Sequence, residues 1–459
     1  MRDGYGGPVT TDPRPAPTPG ASAPRPAGAP GVVDWSAAAE LAARVAPPGP
    51  RATRAELAEL VGGLRDAASD AVDHVLATTR MTPAGGVRRV AGGPRDGAAT
   101  LGSVHVVDRA TWALANTQVM AAMTDPVAAA LDEADMPTSQ AARLGGALEI
   151  GALLALLAPR VLGQFDPYAR LSADAEAAGP SAAGAPGPSM AGEPGPSATG
   201  GPDLSADGEP GLSVAGEPGP ASAHVRRPAV AGAAAPGRLL LVAPNVLHAE
   251  RTMGVNPRDF RLWVCLHEQT HALQFAAAPW LAEHLRGRVG GLLEDMTRTA
   301  VGLAKAPLHE KLATAGRTVA DVVTGAFKPG SAAPFERLLT PGQKDDLAQV
   351  TAVMALLEGH ADVMMDAVGP RVVRTVRQIR QRFEKRRDGE GAPGLDVVLR
   401  RLLGMDAKLA QYRDGAAFVR DVERQVGRDG LNAVWTSPDT LPTAREIADA
   451  RAWVRRVHG

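Results

Sequence analysis

Arg261-Leu262-Trp263-Val264-Cys265-Leu266-His267-Glu268-Gln269-Thr270-His271-Ala272-Leu273-Gln274-Phe275 sets two histidines four residues apart, with a glutamate directly after the first. On a helix, residues four apart lie one above the other on one face. His267 and His271 can therefore grip a single divalent cation. Glu268, turned by about 100°, flanks that cation and can take a proton from a water beside it. Zinc suits this donor set: it binds neutral imidazole and leaves a position open for water. The competing reading is a surface helix with two unrelated histidines. The apolar company of Phe260, Trp263, Val264, Leu266, Leu273 and Phe275 argues against it, because buried imidazoles need a shared partner.

The local sequence supplies a helix for the motif. Asn256 is a good N-cap, Pro257 fits the first helical position and Asp259 places negative charge in the first turn. Pro279 ends the helix near Ala278. A second long helix is predicted from Thr340-Pro341 to Gly369-Pro370. It carries Leu357-Glu358-Gly359-His360-Ala361-Asp362. Glu358 and Asp362 share a face, so Glu358 is the candidate third ligand, and Asp362 could accept the far N–H of a ligand histidine. His360 is the rival third ligand, for a site of three histidines; it lies about 200° around that helix from Glu358, so the two cannot serve one metal, and packing is its simpler role. His248 and His309 are weaker ligand candidates. Either of them, or Tyr412, could instead be a transition-state donor. Cys265 reads as a buried, inert thiol.

Outward from these helices, composition changes abruptly. The chain has 459 residues, 51 of them Gly and 39 Pro. Residues 1–33 read as a disordered tail, and 171–237 as a low-complexity Pro/Gly/Ala insertion in which Ala-Gly-Glu-Pro-Gly-Pro recurs at Ala191–Pro196 and Ala215–Pro220. Neither can bury enough apolar surface to offset ordering entropy. Residues 34–170 are expected to be a helical region packing on the catalytic core, with helical periodicity in Arg54–Ala68, Asp108–Met123 and Ser139–Leu162 and a short strand at Val104–Val107. Leu162–Pro167 reads as a helix stop, and Leu239–Pro244 as a buried strand. Residues 238–459 are expected to hold the metal-binding catalytic region.

The net charge is −1, which gives no reason to expect nucleic acid or an anionic membrane as partner. Arg371–Arg387 reads as a solvated helix face, since stacking aromatics are sparse there. One cysteine excludes an internal disulfide. No uninterrupted run of about 20 apolar residues occurs, so no membrane-spanning helix is expected. No signal-peptide pattern occurs at the N-terminus, and the expected location is the cytoplasm. The composition leaves the oligomeric state open.

The run Asp259–Phe275 followed by Pro279-Trp280-Leu281 resembles a family of zincin-like, zinc-dependent metalloproteases of high-GC bacteria, which also carries an association with biosynthesis of the deazaflavin redox coenzyme. Further similarity lies in Arg109–Asn116, Leu162–Pro167, Ala243-Pro244-Asn245, Leu356–Gly369 and Leu402–Tyr412 with Phe418-Val419. The resemblance implies an α+β, predominantly helical, zincin-like fold with a small sheet and an active-site helix bearing the two histidines. It also supports Glu358 as third ligand and Asp362 as support for a ligand histidine. Glu358 lies 87 residues beyond His271, a separation longer than in the familiar glutamate-type members, with room for an inserted helical segment from Leu281 to Leu339.

The reading that follows is a zinc-dependent hydrolase, a metallopeptidase acting on a peptide or protein, with Zn2+ held by His267, His271 and Glu358 and Glu268 as proton acceptor. No Gly-rich phosphate loop suggests a further cofactor. The alternative is a non-catalytic metal-binding or assembly protein associated with coenzyme metabolism.

Overall fold

The sheet that sets the site has three strands, and they come from both sides of the low-complexity stretch. In the computed structural model, described for residues 31–90, 98–169, 237–305, 339–387 and 405–459, β3 (Ser103–Val107) pairs in parallel with β5 (Arg238–Val242), and β4 (Gly163–Asp166) pairs antiparallel with β5. A separate two-stranded ribbon joins β1 (Arg88–Val90) and β2 (Ala98–Thr100). The described residues belong to one compact unit. The tail expected at 1–33 and the insertion expected at 171–237 lie outside the described residues, apart from 31–33 and 237.

Helices cover this sheet. They are α1 (Trp35–Val45), α2 (Arg54–Thr79), α3 (Arg109–Met123), α4 (Asp125–Glu133), α5 (Gln140–Leu157), α6 (Ala243–Met253), α7 (Pro257–Ala277), α8 (Trp280–Lys305), α9 (Pro341–Ala367), α10 (Val376–Arg387), α11 (Met405–Leu431), α12 (Ala444–Ala448) and α13 (Ala450–His458). A core of Leu60, Leu64, Phe260, Leu266, Leu273, Leu356 and Phe418 joins α2, α7, α9 and α11. Burial of each such side chain contributes about 1.5–3 kcal/mol.

Most expected helices form where the periodicity puts them, and three local readings change. Leu162–Pro167 contains a strand rather than only a helix stop. It is extended because Gln164 is held by Trp112 Nε1 (2.7 Å) and Asn116, while Asp166 accepts from Arg238 Nε (2.8 Å). Ala243-Pro244 begins a helix, proline sitting in its first turn. Residues 371–375 are turns, and within α10 Arg380 is tied to Asp366 and Arg382 to the carbonyls of Met253 and Gly254. The expected Leu281–Leu339 helical segment is seen as α8; residues 306–338 lie outside the described residues.

α5 is, among the described residues, long and apolar enough by length and composition to cross a membrane. Its Ala, Gly and Leu content raises the average despite Arg143 and Glu149, which a search for uninterrupted runs misses. Here it buries Ala147, Gly151, Leu154 and Ala155.

The closest approach of two helices supports Glu358. A Cβ on Gly359 of α9 would fall 2.2 Å from Gly415 C and 2.3 Å from Ala416 N, and one on Gly415 would fall 1.9 Å from Ala355 O. Backbone meets backbone, so no side chain can yield. Gly359→Ala is expected to lower stability by about 3 kcal/mol, read as a shift in the urea midpoint at unchanged slope.

Candidate metal centre

Helix α7 is fixed at both ends and along its length. Asn256 Oδ1 caps it at Asp259 N (3.0 Å), and Asp259 Oδ2 accepts from Thr375 N (2.8 Å) and Oγ1 (2.7 Å). Arg261 forks onto the buried Glu250 at 2.8 and 3.1 Å. Gln269 Nε2 donates to Ala68 O (2.9 Å), and the Cys265 thiol to Leu64 O (3.8 Å), on α2. Cys265 is fully buried, and burial pushes its thiol up in pKa. Helix α9 begins with a reciprocal Thr340/Gln343 capping box, Gln343 reaching on to Thr299 of α8.

Between these helices three donors meet. His267 Nε2 and His271 Nε2 are 3.1 Å apart. Glu358 places Oε2 3.4 Å from His267 Nε2 and Oε1 3.7 Å from His271 Nε2. Four ligands about 2.0–2.1 Å from a tetrahedral zinc are separated by about 3.4 Å, so this triangle has the size the ion requires. Among the described residues it is the group of His, Cys, Asp and Glu side chains able to hold a metal.

The charges fit the geometry. Burial opposes the charged form of His267, but the hydrogen bond and negative charge of Glu358 outweigh it and raise its pKa to about 9 in the cation-free protein. Burial likewise opposes the charged form of Glu358, and its two imidazole neighbours outweigh it, bringing Glu358 down to about 2. His271 is lowered, chiefly by burial. Cation binding must displace the proton that His267 and Glu358 share.

Glu268 sits beside this triangle. Burial raises its carboxyl to about 7, opposed by the charge of His267 and by a hydrogen bond from the Phe165 backbone. Gly163, at the start of β4, faces the Glu268 stem: a Cβ there would lie 2.7 Å from Glu268 Cγ. β4 is placed in turn by Asn245, whose Nδ2 donates to Ala158 O and Val161 O at 2.6 Å while Oδ1 accepts from Arg109 Nε at 2.7 Å.

The remaining candidates separate. His271 Nδ1 donates to Gln274 Oε1 (2.9 Å), which leaves Nε2 bare toward the triangle; Gln274 Nε2 donates to Leu357 O (2.9 Å) and His360 Nδ1 (3.0 Å). The tautomers are set by this network. Asp362 lines the same cleft, and its carboxylate is paired with Arg380 at 3.5 Å. His360 is fully buried against Trp435, ring centroids 5.2 Å apart, and burial lowers it to about 3. His248 is exposed on α6. His309 lies outside the described residues, and of Tyr412 only its place in α11 is described.

Sequence reasoning assigns Gln274 no role. The available signal was its spacing: three residues after His271, on the same helical face. Gln274→Leu is expected to weaken zinc binding about 10–100-fold, measured by competition with a chromophoric chelator. An unchanged affinity would show that Gln274 does not orient His271.

Comparisons with known proteins show the family of the chain. The family model for zincin-like metallopeptidases matches residues 33–187 and 206–454. A crystal structure from Chloroflexus aurantiacus, described as "a putative hydrolase with a novel fold", is similar over 93% of this chain and 99% of its own, with 24% identity and a TM-score of 0.52. At that identity the likeness speaks for the fold. No curated protein matches.

Proposed function

The chain belongs to the zincin-like metallopeptidase family, and from that premise we propose that it is a zinc-dependent peptide hydrolase in which His267, His271 and Glu358 hold the metal and Glu268 moves the proton. The observation that carries the reading is the meeting of three donor atoms, two from one helical turn and the third from Glu358, 87 residues beyond His271, beside the buried carboxyl group of Glu268. Zinc held there would polarise the scissile carbonyl and acidify a water.

The chain's own groups supply the rest. A carboxyl near neutrality is matched both to accept a proton from the attacking water and to return it to the leaving nitrogen. The Phe165 N–H holds Glu268 in place for both transfers. β4 is an edge strand of the three-stranded sheet, and an edge can align an extended peptide through backbone hydrogen bonds, which favours a peptide among amide substrates. Gln274 keeps His271 in the metal-accepting tautomer.

The test is direct. The purified chain should carry zinc near one equivalent and cleave members of a mixed peptide library, losing activity to a chelator and regaining it with added zinc. Zinc retained with no cleavage of any member would support the non-catalytic alternative.

Gly163→Ala probes Glu268 without touching the metal donors. Its new methyl must push the Glu268 side chain aside, and displacement by about 1 Å can cost about 10²-fold in rate. We expect that loss in kcat at unchanged zinc content. Full activity would mean Glu268 tolerates displacement and is not the proton acceptor.

A further inference from the structure

The cleft beside the donor triangle is lined by apolar side chains as well as by the donors, and its lining states what side chain it suits. The space is about 260 Å³. His267, Glu268 and Glu358 line it together with Trp263, Val264, Met365 and Phe383, and Arg160 adds a cationic group to the lining. Trp263, Val264 and Met365 are at most 4% exposed. The wall is braced from behind. Phe383 meets Trp263 edge-on with centroids 5.0 Å apart, and the Arg380 guanidinium lies 5.9 Å from the Trp263 ring centroid. Arg380 is itself clamped by Asp366 and Asp362.

Resting on the hydrolase reading of this same site, we propose that the cleft is the specificity pocket, and that it selects a substrate with one large uncharged apolar side chain, aromatic or long aliphatic, next to the scissile bond. Three features carry this. Its lining includes the donors, so whatever fills it is attached close to the bond being cut. Its volume falls just below the roughly 300–1,000 Å³ of pockets that hold drug-sized ligands, which limits it to about one side chain. Its carboxylate on the wall, Asp362, is already paired with Arg380. A cationic side chain would lose hydration against Trp263 and Phe383, where Asp362 already faces Arg380 and, on the hydrolase reading, Glu358 holds the metal and Glu268 the proton; an acidic one would meet those three carboxylates, while Arg160 on the lining is engaged by the Leu156 carbonyl.

The specificity-determining residues are then Val264 and Phe383. Both line the cleft, Val264 buried on α7 and Phe383 half-buried on α10. The test is a positional peptide library cut by the zinc-loaded chain and by two variants, Phe383→Ala and Val264→Phe. We expect kcat/KM at least about tenfold higher for Phe, Leu or Met than for Gly, Ser, Asp or Lys at one position flanking the cut. Phe383→Ala should shrink the aromatic preference about tenfold, and Val264→Phe should shift preference toward small side chains. Phe383→Ala, nearer the surface, serves if the overpacked variant does not fold.

Cleavage without preference for large apolar side chains, or with preference for charged ones, overturns the proposal and leaves the hydrolase reading standing. If no peptide is cut, calorimetric binding of an N-acetyl phenylalanine amide against the glycine amide decides. At least tenfold tighter binding of the former, lost in Phe383→Ala, supports the pocket; equal binding overturns it.

Discussion

Glu268→Gln is expected to retain zinc at wild-type stoichiometry while lowering kcat/KM by about 10²–10⁴-fold, the usual weight of a positioned general base. The amide keeps the shape of the side chain, so the close approach of Gly163 and the hydrogen bond from the Phe165 backbone are preserved. What disappears is the ability to accept a proton. Because burial disfavours the carboxylate at this position, the neutral amide carries no penalty of that kind, and the variant should melt no lower than wild type. Zinc content, a melting curve and peptide turnover together check the claim. Wild-type turnover by the variant would remove Glu268 from the chemistry.

Glu358→Ala is the second large expected effect. Outer partners of a ligand histidine are worth about 10–100-fold in metal affinity, and a direct ligand should be worth more than the upper end of that range. Chelator competition on the folded variant measures it, with circular dichroism as the control for folding. An affinity equal to wild type would place the third ligand elsewhere.

The same variant has a pH signature without metal. The raised pKa of His267, about 9 against an ordinary 6.5, contributes stability that is complete below about 6.5 and is lost as pH rises through about 9. The lowered pKa of Glu358, about 2 against 4.5, contributes above about 4.5 and is lost as pH falls through about 2. The stability gap between cation-free wild type and Glu358→Ala should therefore be widest between about pH 4.5 and 6.5. Denaturant titrations across pH 3 to 9 would show a flat gap if the His267–Glu358 pair does not exist.

The two long helices were readable because their signals are local. Asn256-Pro257 and Thr340-Pro341 are cap-then-proline pairs, and both helices begin there. His267, Glu268 and His271 announce themselves by spacing, and Glu358 by its place on a helix rich in buried apolar neighbours. β4 was hidden because its extended shape comes from partners distant in sequence: Trp112, Asn116 and Arg238 hold Gln164 and Asp166. Gln274 was hidden for a similar reason, since its role depends on Leu357 and His360 across an interface between helices. Asp362 shows the converse limit. Its spacing from Glu358 fits support of a histidine, while the contact of its Oδ1 with Arg380 of α10, at 3.5 Å, has no local signal in the sequence. α10 itself, read as a solvated basic face, contributes Phe383 to the cleft and Arg380 to its bracing.

Because α7 and α9 reach the triangle from segments far apart in the chain, an ion bound there cross-links them only when the protein is folded. The native form is then favoured by RT ln(1 + [Zn]/Kd), about 1.4 kcal/mol for each tenfold rise in free ion above Kd. On the proposed reading, supply of the ion would govern how much folded protein persists as well as how fast it works, and starvation for zinc would expose the chain to degradation.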